Sequence, residues 1–74
     1  MTLDEVQNNK SVIIKEVNAQ GMLLQKLYDM GFIEGNKIKM LRRSPLNDPL
    51  EVEILSYHIS LRAQEAKSIK VSYE

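Results

Sequence analysis

Two segments in the middle of the chain alternate apolar and charged residues. In residues 37–43, Ile38 and Met40 alternate with lysines, and in residues 50–54 leucine, valine and isoleucine alternate with glutamates. A period of two predicts strands with one buried face. If even-numbered residues lie opposite each other, lysines and glutamates share the outer face and form cross-strand ion pairs. The same parity turns Arg42 inward and Arg43 outward, which makes Arg43 the freer arginine.

Three further strands are predicted on either side of this pair. Residues 11–17 are rich in β-branched side chains, and residues 58–62 and 69–73 again alternate apolar and polar positions. A single helical turn is expected at residues 63–67. The segment before residue 10 has only Leu3 and Val6 as apolar anchors, and we expect it to lay both side chains on the core.

The period changes from Met22 onward. Leu23, Leu27 and Met30 fall at helical spacing, so a two-turn helix with one apolar face is predicted, and that face is expected to pack on the core. Gly31 stands where a helix favours a left-handed C-terminal cap. Tyr28 lies on the flank of the apolar face, where its hydroxyl could donate to a partner or cover the edge of the core.

The loop between the two central strands is residues 44–49, bracketed by Pro45 and Pro49. Each proline removes a backbone donor and favours extended geometry in the residue before it, which predicts an exposed and stiff loop. Leu46 has no obvious core to enter. It either packs within the loop or contacts a partner, and the sequence leaves both roles open.

Together these elements predict a mainly β domain with one short helical segment. At 74 residues the chain is long enough for one domain, which we place at residues 1–74. Five short strands in so few residues favour a closed or nearly closed barrel, because closure removes unpaired strand edges.

Composition narrows the classes of function. Ten basic residues balance ten acidic ones, so the chain lacks the global positive field of many nucleic-acid-binding proteins. The absence of cysteine excludes disulfides, thiolate metal sites and cysteine nucleophiles. No apolar run is long enough to span a membrane, and the first residues do not resemble a signal peptide, so a cytoplasmic location without membrane insertion is expected.

Candidate catalytic chemistry is sparse. His58 is the one histidine, and no ligand spacing combines it with carboxylates such as Asp48 or Glu51. The three glycines form no phosphate-binding loop, and no serine stands in a hydrolase motif. We therefore expect neither enzymatic activity nor a cofactor or metal site.

The order of residues resembles the FeoA family of small accessory proteins of ferrous iron transport. The resemblance rests on three stretches that together span nearly the whole chain: Leu27-Tyr28-Asp29-Met30-Gly31-Phe32-Ile33-Glu34-Gly35, Leu41-Arg42-Arg43-Ser44-Pro45-Leu46-Asn47-Asp48-Pro49-Leu50-Glu51-Val52, and Leu61-Arg62 with Glu65-Ala66 and Ile69.

This resemblance implies an SH3-like β-barrel and a role beside FeoB, the ferrous iron transporter with a cytosolic G-protein domain. Similar domains act as regulatory modules of metal-responsive repressors, but no DNA-binding domain is present here. The chain departs from the family at Glu34, where proline is common, and near Ser56, where glycine is common. We expect Ser56 to sit in its turn without a positive φ.

The resulting hypothesis is partner binding without chemistry, by a monomer or a weakly self-associating chain. The projecting loop, with the helix beside it, is expected to dock on the cytosolic portion of the FeoB-type transporter. The predicted partner-binding residues are Tyr28, Arg42, Arg43, Pro45, Leu46 and Asp48.

Two alternatives remain open from the residues alone. A small barrel could bind nucleic acid through Lys37, Lys39, Arg42 and Arg43, although zero net charge and scarce aromatic residues disfavour this. His58 with nearby carboxylates could instead bind ferrous iron directly.

Overall fold

The computed structural model describes all 74 residues, Met1–Glu74. A 3₁₀ turn at Leu3–Glu5 precedes five strands and two helices. These are β1 (Ser11–Val17), α1 (Gly21–Asp29), β2 (Lys37–Arg43), β3 (Leu50–Ile54), β4 (Tyr57–Leu61), α2 (Ala63–Ala66) and β5 (Ile69–Tyr73). All five predicted strands and the predicted helix are confirmed, and each boundary lies within one residue of its prediction.

The strands form one antiparallel sheet in the order β4-β3-β2-β1-β5. The two end strands, β4 and β5, do not pair with each other, so the barrel is nearly closed rather than closed. The N-terminus covers the outer edge of β5, because Thr2 bridges Lys70 and the Val71 amide donates to the Met1 carbonyl at 2.9 Å. Of the two predicted forms, closed or nearly closed, the structure has the second, and the outer edge of β4 stays unpaired.

The core is a single cluster of sixteen buried apolar residues, to which every strand contributes. Leu3 and Val6 are fully buried in it, which confirms the expected packing of the N-terminal segment. No polar or charged side chain is buried. All ionisable chemistry is therefore at the surface.

Helix α1 packs on the core through Leu27, with Leu23, Leu24 and Met30 half-buried around it. It ends in a Schellman motif, in which the Gly31 amide donates to the Tyr28 carbonyl at 3.0 Å and the Phe32 amide donates to the Leu27 carbonyl at 2.9 Å. Gly31 has a φ of +100°, as the predicted cap requires.

The β2–β3 pairing departs from the expected parity after Met40. Ile38 faces Ile54 and Met40 faces Val52, as predicted, but the register then shifts so that Arg42 faces Glu51 and Arg43 faces Leu50. One extra residue in β2 forms a β-bulge, which turns the following side chains to the opposite face. The predicted orientation of the two arginines is consequently inverted.

The charge pairs between β2 and β3 also differ from the prediction. Lys39 lies opposite Glu53, but Lys37 pairs with Glu74 at 2.9 Å rather than with a glutamate of β3. Arg42 makes the close cross-strand pair, at 2.8 Å from Glu51. The bulge thus gives Glu51 an arginine partner instead of a lysine.

Candidate functional site

The loop at residues 44–49 projects Leu46 into solvent. Its side chain is 88% exposed, and the neighbouring Pro45 is exposed as well. The loop holds its shape through its own polar groups: the Asp48 amide donates to Ser44 Oγ at 3.1 Å, and the Asn47 amide donates to the Ser44 carbonyl at 2.8 Å. Leu46 therefore does not pack on the core. Hydrogen bonds within the loop hold its side chain in solvent.

Asp48 connects this loop to the start of α2. Its Oδ1 accepts the Ala63 amide at 2.9 Å, and its Oδ2 lies 3.4 Å from Nη1 of Arg62. A carboxylate that accepts a free amide at a helix start stabilises that turn. The Asp48 side chain accordingly positions the loop against the domain.

Arg43 is the more constrained of the two arginines, contrary to the prediction. Its Nη1 donates to the Asp4 carbonyl at 2.7 Å, and its Nη2 donates to the Val6 carbonyl. These bonds fasten the N-terminal segment to the sheet. Arg42 is the exposed arginine, and its hydrogen bond to Glu51 raises the pKa of its guanidinium further above the usual range.

Tyr28 lies on a different surface from the loop. The loop joins β3 at Leu50, whereas Tyr28 contributes to a groove beside the hairpin that follows Ile54. Four residue steps along β3 separate these ends by about 13 Å. The predicted single site therefore divides into a loop surface and a groove.

The Tyr28 hydroxyl is 3.3 Å from both carboxylate oxygens of Glu34. Partial desolvation, followed by the negative charge of Glu34, raises the pKa of the Tyr28 phenol above its ordinary value of 10.0. The hydroxyl therefore remains protonated at neutral pH and donates a hydrogen bond to the carboxylate.

The groove is open and largely apolar, with a volume of about 530 Å³. It runs between the end of α1 and the β3–β4 hairpin. Its apolar lining residues are Tyr28, Met30, Ile33, Leu55, Tyr57 and Ile59, and Gly31 also lines it. Most of these residues were not predicted as functional. The available signal was the pair Leu55 and Tyr57, two large apolar residues on either side of Ser56, where the chain turns between two strands.

That turn consists of Leu55 and Ser56, between the paired residues Ile54 and Tyr57. The φ angles of Leu55 and Ser56 are +51° and +69°, the signs that a type I′ turn requires at both central positions. The expectation that Ser56 avoids a positive φ is wrong. A two-residue turn favours left-handed backbone at both positions because only that conformation matches the right-handed twist of the flanking strands. This preference comes from the hairpin and not from the residue at the turn.

Two of the four cations of the nucleic-acid alternative are ion-paired within the domain. Lys37 pairs with Glu74, Arg42 pairs with Glu51, and Arg43 donates to backbone carbonyls. Neither Lys39 nor Arg43 has a carboxylate partner within 4 Å, because the Arg43 bonds go to neutral carbonyl oxygens. Carboxylates therefore offset two of the four positive charges.

His58 also lies apart from the carboxylates considered for metal binding. Its Nε2 is 3.9 Å from Glu53, whereas Asp48 and Glu51 face arginines. No group of three or more histidine and carboxylate side chains converges in a geometry that could hold a metal ion.

Neither helix has the length and apolar character needed to traverse a lipid bilayer.

Comparison with known proteins identifies relatives of the whole chain. The family model described as FeoA domain matches residues 1–73. The chain is 35% identical over 72 residues to a putative Fe(2+) transport protein A of Campylobacter jejuni, covering 97% of each protein. It is 32% identical over 71 residues to an Fe(2+) transport protein A/Fe(2+) transporter FeoB fusion protein of Porphyromonas gingivalis. That alignment covers 96% of this chain but only 8% of the fusion protein.

The solved structure of Stenotrophomonas maltophilia FeoA complexed with zinc, described as a procaryotic SH3 domain protein, has the same fold. It superposes with a TM-score of 0.81 at 28% identity, covering 97% of this chain and 89% of that one. This similarity confirms the predicted SH3-like architecture. The match to the family model over nearly the full length, together with these relatives, shows that the chain belongs to the FeoA family.

Proposed function

We propose that this domain is a non-enzymatic cytoplasmic accessory protein of ferrous iron uptake that binds and modulates a FeoB-type membrane transporter. The observation that carries this proposal is the relative from Porphyromonas gingivalis, which is described as a fusion of an Fe(2+) transport protein A with the Fe(2+) transporter FeoB. Fusion keeps two proteins at a high effective concentration, which favours even a weak contact between them.

The exposed loop is the better candidate for this contact than the charged strand faces. Leu46 lies at its tip, flanked by Pro45, and Arg42 lies at the exposed end of β2 before it. An apolar side chain beside an arginine is typical of the centre of protein interfaces. Full burial of a leucine contributes about 1.5–3 kcal/mol, which corresponds to roughly a tenfold to hundredfold gain in affinity.

Arg43 and Asp48 contribute to this surface by positioning it. Arg43 holds the N-terminal segment against the end of β2, and Asp48 joins the loop to α2. An ordered loop loses less conformational entropy on binding than a mobile one. Tyr28 lies toward the other end of β3 and does not belong to the loop surface.

The experiment is a binding titration of the domain against the detergent-solubilised FeoB-type transporter of the same cell. Leu46→Asp is compared with Met22→Asp, which makes the same change at an apolar residue of α1 that is equally open to solvent, at 90% exposure. We expect wild type and Met22→Asp to bind alike, and Leu46→Asp to bind at least about tenfold more weakly.

Circular dichroism of both variants establishes that they are folded. Equal weakening by the two substitutions would place the effect in general surface hydrophobicity rather than in the loop. Failure of the wild-type domain to bind, with and without guanine nucleotide, would refute the proposed partner.

A further inference from the structure

The outer edge of β4 is the one sheet edge that the chain leaves uncovered. The edge of β5 pairs with the N-terminus through Thr2 and Met1. β4 pairs with β3 alone. Exposed edges are usually protected by lysines, prolines or bulges, but β4 continues in regular register from Tyr57 to Leu61 and carries none of these.

The type I′ turn determines which backbone groups of β4 are free. In a two-residue hairpin the residues that flank the turn form a hydrogen-bonded pair, and such pairs alternate along the strands. Ile54 and Tyr57 form this first pair, so the amides and carbonyls of His58 and Ser60 point away from β3. No backbone or side-chain hydrogen bond engages these four groups.

The groove lies directly beside this open edge. Tyr57 and Ile59, alternate residues of β4, form one wall, and Ile33 lies in the wall that follows α1. Leu55 and Tyr57 are 59% and 69% exposed, which is unusual for large apolar side chains of one hairpin. A strand that paired with β4 would place every second side chain over these residues, because side chains alternate along a strand.

Two carboxylates lie at the end of the groove formed by α1, one in its lining and one hydrogen-bonded to the lining residue Tyr28. Asp29 lines it and accepts only the Gln25 side-chain amide, at 2.9 Å. Glu34 accepts the Tyr28 hydroxyl, and neither carboxylate lies within 4 Å of a lysine or arginine. Six of the other eight aspartate and glutamate side chains have a basic partner within 4 Å. Asp29 and Glu34 have none and are available to a positive charge from another molecule.

We propose that the β4 edge and this groove bind an extended segment of a partner protein as an additional strand. The segment carries apolar residues at alternate positions and a lysine or arginine near Asp29 and Glu34. Backbone hydrogen bonds to His58 and Ser60 supply affinity, and the groove supplies specificity. This surface is separate from the Leu46 loop, so its occupant need not be the proposed transporter.

The test uses random twelve-residue peptides displayed on phage and selected on the immobilised domain. We expect enriched peptides to alternate apolar residues and to contain a lysine or arginine. A synthetic copy of one selected peptide is then titrated into ¹⁵N-labelled domain. Binding should slow hydrogen exchange at the His58 and Ser60 amides, while the Leu46 amide is unchanged.

Matched variants separate the backbone edge from the side chains. Ser60→Pro removes the outward amide at a position where an edge strand tolerates proline, and should weaken peptide binding about tenfold. Ser60→Ala keeps that amide and should bind like wild type. Ile33→Ser leaves the edge intact and tests the groove wall, and Asp29→Asn should weaken binding more at low salt than at high salt.

Any of the following results would overturn the proposal. One is selection that enriches no peptide of this pattern. Another is unchanged affinity in Ser60→Pro and Ile33→Ser, or exchange protection centred on Leu46. A third is concentration-dependent dimerisation that protects His58 and Ser60 without peptide, which would make a second copy of the chain the occupant.

Discussion

Substitution of Gly31 tests the close approach between the end of α1 and the β3–β4 hairpin. A Cβ at Gly31 would lie 2.9 Å from Cδ1 of Leu55, closer than carbon atoms pack, and the backbone φ there is +100°. Gly35 has nearly the same backbone, with a φ of +94°, but a Cβ there meets nothing within 4 Å. Gly35→Ala is therefore a control for backbone strain alone.

The two costs can be estimated separately. Left-handed backbone costs an alanine about 1–2 kcal/mol, offset by about 0.4–1 kcal/mol because the unfolded chain loses freedom, so Gly35→Ala should destabilise by at most about 1.6 kcal/mol. Gly31→Ala must also move the Cδ1 methyl of the exposed Leu55 side chain, which adds up to about 1.5 kcal/mol. We expect Gly31→Ala to be the more destabilising by that difference.

Urea unfolding followed by circular dichroism measures these free energies. The midpoint temperature of thermal unfolding should fall by about 4–8 °C for each kcal/mol of stability lost. The Leu55→Ala background removes the clashing methyl groups. In that background Gly31→Ala should cost about as much as Gly35→Ala. Equal costs of the two alanine substitutions in the wild-type background, or no relief from Leu55→Ala, would refute the argued contact.

Three further outcomes are expected. Ser56→Gly should raise the free energy of unfolding by about 0.5–1 kcal/mol, because glycine adopts the positive φ without strain. Arg43→Ala should destabilise by about 1.5–3 kcal/mol through loss of two charge-assisted hydrogen bonds, whereas Arg42→Ala should cost less than about 1 kcal/mol at its exposed pair. The hydrogen bond from Lys26 lowers the pKa of the Glu65 carboxylate below its ordinary value of 4.5. Stability from Glu65 is therefore present above that value and lost as pH falls below it, so unfolding of Glu65→Gln and wild type should differ most at neutral pH.

The same urea titrations can contradict each of these three predictions. Ser60→Gly, the same change within β4 where the backbone is extended, should destabilise, so stabilisation by both serine substitutions would contradict the turn argument. Equal losses of stability in Arg43→Ala and Arg42→Ala would contradict the claim that the bulge makes Arg43 the constrained arginine. A Glu65→Gln effect that persists at pH 3 would contradict the assigned ionisation.

The residue pattern alone determined the strands, the helix and its cap. Apolar side chains at period two and helical spacing specify which face of each element is buried, and burial of those faces dominates the stability of a small domain. Gly31 was identifiable as the cap because few other residues adopt its backbone. The composition by itself also excludes cysteine chemistry, since the chain has no thiol.

The tertiary structure decided the orientation of the two arginines and the backbone conformation of the β3–β4 turn. The extra residue in β2 inverted Arg42 and Arg43, because a bulge depends on the partner strand and not on the alternation within one strand. Ser56 took a positive φ because the hairpin geometry demanded it. Such pairing effects act between segments distant in sequence, and a single-strand pattern does not record them.

The same reason applies to the functional surfaces. Tyr28 and Leu46 are separated because β3 carries the loop at one end and the hairpin at the other, a fact of topology rather than of composition. The open β4 edge arises where the end strands fail to meet, and the groove arises where the end of α1 approaches the β3–β4 hairpin. The sequence alone determined which elements form and which faces they bury, whereas only their assembly decided which polar groups and apolar side chains remain available to a partner.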